Sequence, residues 1–426
     1  MYKIIYSLLI IPFLCCCTGE NKTAKGEAVD DENKNNRIIN IDDAFSDIRE
    51  IRLSDIADSV SFLPLETSSK SLIQGLSFRF SPSFIFHFSG HFDWTGKYKG
   101  SIVKRGQGPY EEPEGGSVLF NNNHYYSKGT KLIEYDNAGS PTGKVRRLYE
   151  SRKISDKDEF LASLEFFNAG KNIAVYCYPN YIHFVNTDFE TIGSRLVAGS
   201  DTSKADVNQP GKNFITYYKD KTLFYNFMND TIFYVTENEL EPKWIVNFTR
   251  EERLSTEALL THTNIMMREF LKALDSGMNF ENTIRVKLQD KKHIAYGAFE
   301  TENHIFFPMQ ELIPHAKARG KEEKLPYIVI FDKSTHKTFR VKGDGFVDDL
   351  TGLAGMKGKN FFYPANGFFD EKMIHAVWPF EILDFIKESQ DAGRTVNPRL
   401  LEFSKTLDVD DNPILILIHL KRKSKP

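Results

Sequence analysis

Disulfide chemistry has almost nothing to work with in this chain of 426 residues, which holds four cysteines, three of them consecutive at Cys15, Cys16 and Cys17. Cys177 stands alone, so no framework of paired cysteines staples the fold and a hydrophobic core must hold it. An excess of one charge is missing too. The 55 Lys and Arg against 58 Asp and Glu leave a net charge of −3, too balanced to steer the protein onto nucleic acid or an anionic bilayer. No apolar run reaches the roughly 20 residues that a membrane-spanning helix needs. Catalytic signatures are also absent: there is no Gly-x-Ser-x-Gly elbow, no Cys-x-x-Cys pair and no His-Glu-x-x-His.

What the chain does contain is a repeat. Five times an aromatic or β-branched run ends on a short polar turn, at Phe92-Asp93, Tyr135-Asp136, Val185-Asn186, Val235-Thr236 and Phe331-Asp332. The polar members are spaced by 43, 50, 50 and 96 residues, the last gap being close to two periods. Strand-rich repeats of about 40–50 residues are propeller blades, small twisted sheets that bury their faces against one another in a ring. Abundant Phe (35) and Tyr (18) suit half-buried strands. The expected fold class is all-β: a six-bladed β-propeller of four-stranded antiparallel blades.

The first residues give an address. Met1-Tyr2-Lys3 is a short basic start, and Ile4 to Leu14 is an apolar run of signal-peptide length. The chain then passes through Leu14-Cys15-Cys16-Cys17 and turns polar at Thr18-Gly19-Glu20. This resembles a bacterial lipoprotein signal, in which a Leu three residues ahead of a Cys directs cleavage and lipidation. Cys17 has Leu14 at that offset, so lipid attachment is expected there; an ordinary signal peptide with incidental cysteines is the alternative. The expected organisation is a signal peptide over 1–16, a flexible, polar tether over 17–36, and a propeller over 37–426.

Strand patterns recur through the body, from Leu76–Phe80 and Phe84–Phe88 in the first blade to Asn360–Tyr363 and Met373–Trp378 in the sixth. Apolar residues at helical spacing predict inserted helices near 251–274 and 380–390. The run Pro413-Ile414-Leu415-Ile416-Leu417-Ile418-His419-Leu420 is too apolar for a free sheet edge. It is expected to pair with the early Val60–Leu63 strand and zip the two chain ends together.

Several segments together resemble the six-bladed β-propeller lipoproteins of Bacteroidetes, a group largely of unknown function. They are Leu53-Ser54-Asp55-Ile56-Ala57-Asp58, Phe62-Leu63-Pro64-Leu65-Glu66-Thr67, Gly106-Gln107-Gly108-Pro109-Tyr110-Glu111, Phe227-Met228-Asn229-Asp230-Thr231-Ile232 and Asp410-Asp411-Asn412-Pro413. One departure stands in the glycine segment, where Glu112 and Pro113 follow in place of the family's aromatic. The resemblance implies a lipid-anchored propeller in the cell envelope.

Candidate chemistry is sparse. Gly106-Gln107-Gly108-Pro109 lacks the Lys-Ser/Thr ending and the following helix of a phosphate loop, and reads as a tight turn between blades. Arg105 beside it is the candidate ligand-binding cation. His87 and His91 are four apart in a strand pattern, a spacing that brings metal ligands together on a helix but not here. Asp348-Asp349 and Asp408, Asp410 and Asp411 read as turn caps, with a calcium site from such loops as the alternative. Cys177 reads as a small buried residue of a strand. The expected role is a binding or scaffold module for an extracytoplasmic glycan, peptide or protein, with no catalytic, cofactor-binding or metal residue assigned. The alternative is a metal-dependent hydrolase or lyase with its site at the end of the central channel.

Overall fold

The computed structural model describes residues 37–422, apart from 89, 113–116, 129–130, 148–164, 178–180, 197–212, 220, 227–229, 250–291, 296, 313–323, 357–360 and 365–366. All but Arg37 belong to one unit, Ile38–Pro426.

Six antiparallel sheets of four strands are the blades. From the axis outward, the first is Arg79–Phe80, Phe84–His87, Gly90–Asp93 and Tyr98–Ser101. The second is Ser117–Asn121, His124–Lys128, Lys131–Tyr135 and Pro141–Arg147. The third is Glu165–Ala169, Asn172–Cys177, Tyr181–Val185 and Thr191–Leu196. The fourth is Asn213–Tyr218, Lys221–Asn226, Thr231–Val235 and Leu240–Asn247. The fifth has a broken inner strand, Lys292–Ala295 then Phe299–Glu300, followed by His304–Leu312, Lys324–Asp332 and Lys337–Val341. The sixth is composite: Phe368–Phe369, Lys372–Val377 and Ile414–Leu420 from the C-terminal region, with Ala57–Pro64 as outer strand.

The polar residue of the sequence repeat closes the hairpin between the third and outer strands. Asp93 Oδ1 accepts from the amides of Thr95 and Lys97, Asp136 Oδ1 from Ala138 and Ser140, and Asn186 Oδ1 from Asp188 and Glu190. Asp332 Oδ1 does the same for Ser334 and Thr335. A short side-chain acceptor replaces the backbone carbonyl that the turn would otherwise need, which is why Asp or Asn recurs there.

Ring closure follows from the core. Among the described residues the buried hydrophobic side chains form six clusters, and each joins one pair of neighbouring blades. In the fifth blade the strand alternation divides the two: Phe306, Ile328 and Ile330 face the sixth blade, whereas Ile305, Phe307, Val329 and Phe331 face the fourth. The cluster of Ile85 and Phe92 with Phe369, Ile374 and Leu415 joins the first blade to the sixth, so no face is left over.

The expected closure holds in register. Val60 stands opposite Ile418 and Leu63 opposite Leu415. Asn412, 2% exposed, locks the junction. Its amide nitrogen donates to the carbonyls of Glu66 and Ser71, its oxygen accepts from Ile73 N, and its backbone N–H donates to Thr67 Oγ1. Gly96 lies against the same strand with φ +84°, where an added Cβ would sit 2.2 Å from Pro64 O.

Upstream of the closing strand, the chain straps the outside of the ring. Ile38–Asn40 adds in parallel to the outer strand of the fourth blade, and Ile48–Arg49 to that of the fifth. Two blade edges are thereby paired rather than exposed.

Two expectations are corrected or extended. Asn360–Tyr363 does not enter the sixth blade; Phe361–Phe362 pairs with Phe346–Val347 in a separate two-stranded sheet. The helix expected over 380–390 is Pro379–Asp391, and a second, Pro398–Ser404, follows it. The first starts on a proline, suited to the first helical turn, and buries Ile382, Phe385 and Ile386 in the interface of the fifth and sixth blades. The helix expected near 251–274 lies outside the described residues.

The buried tyrosines set an alkaline limit. Burial pushes Tyr125 up to about 12, and raises Tyr126, Tyr234 and Tyr327 as well, the last against the opposing charge of Arg340. The folded state keeps protons that the unfolded state releases above pH 10. Their stabilisation is therefore complete below pH 10 and is lost as pH rises toward 12, each contributing up to about 1.4 kcal/mol per pH unit. We expect part of the absorbance of the 18 tyrosines to appear only with unfolding in an alkaline titration; all of them ionising in the still-folded chain near pH 10 would contradict this.

Candidate functional site

The inner strands of all six blades converge on a cavity of about 240 Å³. Every blade puts at least one aromatic ring of its inner strand into the wall, Phe80, Phe120, Phe166, Tyr217, Phe299 and Phe369 in blade order, and Phe78, Phe86 and Phe368 line it as well. The rings pack on one another and on Trp94 of the first blade. Phe369 packs on Trp94 at 5.4 Å, Phe80 at 6.2 Å and Tyr217 at 6.0 Å between ring centres, and Phe299 on Phe368 at 4.6 Å. Such a wall presents flat apolar faces with little freedom to collapse, as ligand pockets do.

Polar groups in the wall are few. Ser81 Oγ bonds both the carbonyl and the amide of Phe84, and Thr216 Oγ1 donates to Ala298 O at 3.3 Å. Arg79, largely exposed, is the one charged residue among the described lining. Burial pushes the Tyr217 phenol up to about 12, with the Arg79 charge and the Asn168 backbone amide acting in the opposite direction. Tyr217 is thus a neutral hydroxyl beside a permanent cation.

Arg105 sits elsewhere. Its backbone lies in the short strand Lys104–Arg105, paired in parallel with Glu111–Glu112 between the first and second blades; its side chain is outside the described residues. The glycine segment wraps around Glu111. Gly108 N donates to Glu111 Oε2 at 2.9 Å, and Lys131 Nζ donates to the carbonyls of Gly108, Pro109 and Glu111. At Gly106 an added Cβ would fall 1.9 Å from Glu111 Oε2. The segment is a self-bonded turn, with its carboxylate occupying the space that a phosphate would need.

His87 and His91 occupy adjacent strands, and His91 stands opposite Phe86 rather than His87. The two side chains therefore leave opposite faces of the sheet. His91 places Nδ1 2.9 Å from Gly100 O and Nε2 3.3 Å from the Tyr125 hydroxyl, and burial lowers its pKa. Asp348 and Asp349 cap backbone: Asp348 Oδ1 accepts from Thr351 N, and Asp349 Oδ1 from Ser54 N. Asp408 and Asp411 cap each other's segment. Among the described residues no three His, Cys, Asp or Glu side chains converge where they could hold a metal ion. Cys177 ends the second strand of the third blade, and Cys17 lies outside the described residues.

Sequence reading missed Arg79 and the six rings. The available signal was an aromatic in the short strand opening each blade, obscured by the 35 Phe and 18 Tyr of the whole chain.

Comparisons with known proteins bear on the fold. The model of a family described as a domain of unknown function, DUF4934, matches residues 36–419. No curated protein matches the chain. The structure is similar to that of a Bacteroides fragilis protein inferred to be exported, with 16% identity, a TM-score of 0.59, and coverage of 91% of this chain and 99% of that one. At this identity the likeness is one of fold. BamB from Moraxella catarrhalis aligns over 66% of this chain and 63% of its own, with 11% identity and a TM-score of 0.29, a level on which no functional statement rests.

Proposed function

We infer, for a chain that belongs to the DUF4934 family of unknown function, a binding module of the cell envelope. A lipid on Cys17 holds the propeller at the membrane, and the mouth of the channel takes a group from an extracytoplasmic glycan, peptide or protein. The observation that carries this is the wall of aromatic rings, with at least one from each blade. A core built only for stability would fill its centre at the density of other protein interiors, whereas here about 240 Å³ remains open among ring faces.

A small neutral aromatic tests the channel without assuming its natural ligand. Benzyl alcohol should show saturation transfer from the protein by NMR, and Ile215→Trp, which adds bulk at a residue lining the cavity, should abolish it in a chain that still melts cooperatively. Equal transfer to both proteins would remove the channel from consideration.

The anchor is tested separately. Cys17→Ala should move the protein from the membrane to the soluble fraction of cells, because the remaining chain has no helix among its described residues long and apolar enough to cross a bilayer. Undiminished retention, or palmitate label still incorporated, would place the attachment elsewhere.

A further inference from the structure

We propose that the channel binds an aromatic carboxylate, the ring seated among the aromatic side chains of the wall and the carboxylate held by Arg79. The proposal rests on reading the channel as a binding site, and it names the ligand that the wall selects.

The selection follows from the hydrogen bonds left to make. The hydroxyls of Ser81 and Thr216 are spent on the protein's own backbone. Arg79 makes no hydrogen bond or ion pair to a described residue, and it lines the cavity while remaining exposed to solvent. A guanidinium has five N–H donors in a planar fork and no acceptor. Tyr217, in the same wall, carries one further O–H.

The wall therefore presents donors at one place and ring faces elsewhere. A neutral sugar, which needs both donors and acceptors around its ring, finds too few acceptors among the described lining. A cationic ligand would suit the aromatic faces but meets Arg79, with no carboxylate of the described wall to offset it. A carboxylate matches the guanidinium fork in two parallel bonds.

Size sets the other end of the ligand. Benzene fits a dry cavity of about 150 Å³, so about 240 Å³ accommodates one ring with a short chain. The shared chemistry is an aryl group separated from a carboxylate by a few bonds. Both a free arylalkanoate and the C-terminal aromatic residue of a peptide supply it.

Calorimetric titration of the full mature chain decides the matter, using phenylpropionate, phenylpropionamide, N-acetyl-alanyl-phenylalanine and the C-terminal amide of that dipeptide. We expect each acid to bind about 10- to 100-fold more tightly than its amide, the range for one charge-assisted pair. Arg79→Gln should erase that preference by weakening each acid far more than its amide. Acid affinity should also fall as pH drops through the ligand carboxyl pKa, near 4.3.

Tighter binding of phenylpropionate than of the dipeptide acid assigns the site to small acids, and the reverse assigns it to chain ends. Equal binding of acid and amide to the wild type, or a preference that survives Arg79→Gln, overturns the role of Arg79 while benzyl alcohol binding still upholds the channel. Failure of all five compounds, benzyl alcohol included, overturns both.

Discussion

A chain ending at Asn412 yields no folded propeller. The strand lost, Ile414–Leu420, lies between Lys372–Val377 and Ala57–Pro64, and both ladders go with it. Its side chains serve two interfaces. Ile414, Ile416, Ile418 and Leu420 pack toward the fifth blade, and Leu415 and Leu417 toward the first. Burying six large aliphatic side chains contributes roughly 9–18 kcal/mol at about 1.5–3 kcal/mol each, as much as the whole net stability of a typical domain. The first and fifth blades would face water on their inner flanks, and Ala57–Pro64 would become an unpaired strand. Full-length and truncated chains expressed side by side should differ in soluble yield, and the truncated one should show no cooperative melt by circular dichroism. A soluble truncation melting with the full chain would falsify closure by strand exchange between the termini.

Lys333→Met should cost about 3–5 kcal/mol. Lys333 Nζ lies 2.6 Å from Glu300 Oε1 and also donates to Thr301 O, with the two side chains only 14% and 2% exposed. Tyr234 of the fourth blade donates to the other carboxylate oxygen at 3.2 Å, so the pair bridges the fourth and fifth blades. The Tyr218 ring stands 4.8 Å from the ammonium. Burial lowers the Lys333 pKa, against the opposing charge of Glu300. Removing the cation leaves Glu300 buried beside Tyr234 with no counter-charge, the costly way to break such a pair. Replacing both partners, Lys333→Met with Glu300→Leu, should restore much of the loss, because no charge is then stranded. Urea unfolding of the single and double variants measures the difference. A double variant as unstable as Lys333→Met alone would show that the loss comes from packing around Tyr218 and Trp244 and not from the orphaned carboxylate.

Three of the segments carrying the family resemblance serve the structure as fasteners. Asp55 Oδ2 accepts from Arg52 N at the start of a helical turn, Glu111 fills the glycine loop, and Asn412 ties the two chain ends. Each is a polar side chain satisfying backbone at one required place, and such requirements leave marks at fixed positions in the sequence. Arg79 is different. It is legible only as a basic residue next to Phe80, because nothing local distinguishes an arginine at a channel mouth from one on an outer surface. Arg105, beside a conspicuous glycine segment, drew attention for the opposite reason: its motif is local, although that motif proves to be a turn.

Local chemistry could be read directly from the residues. The Asx turns at Asp93, Asp136, Asn186 and Asp332, the strand alternation between them and the apolar run at Ile414 depend on neighbours within a few positions, so the amino-acid order alone dictates six sheets and the pairing of the two ends. The strap along the outer edges of the fourth and fifth blades, the two-stranded Phe346–Phe362 sheet and the ring of Phe80, Phe120, Phe166, Tyr217, Phe299 and Phe369 were decided by tertiary structure. Those six residues are up to 289 positions apart and share a wall only because six interfaces close a circle. Where a strand's alternation says which residues are buried, only the packed ring says whether they meet another blade or an open channel.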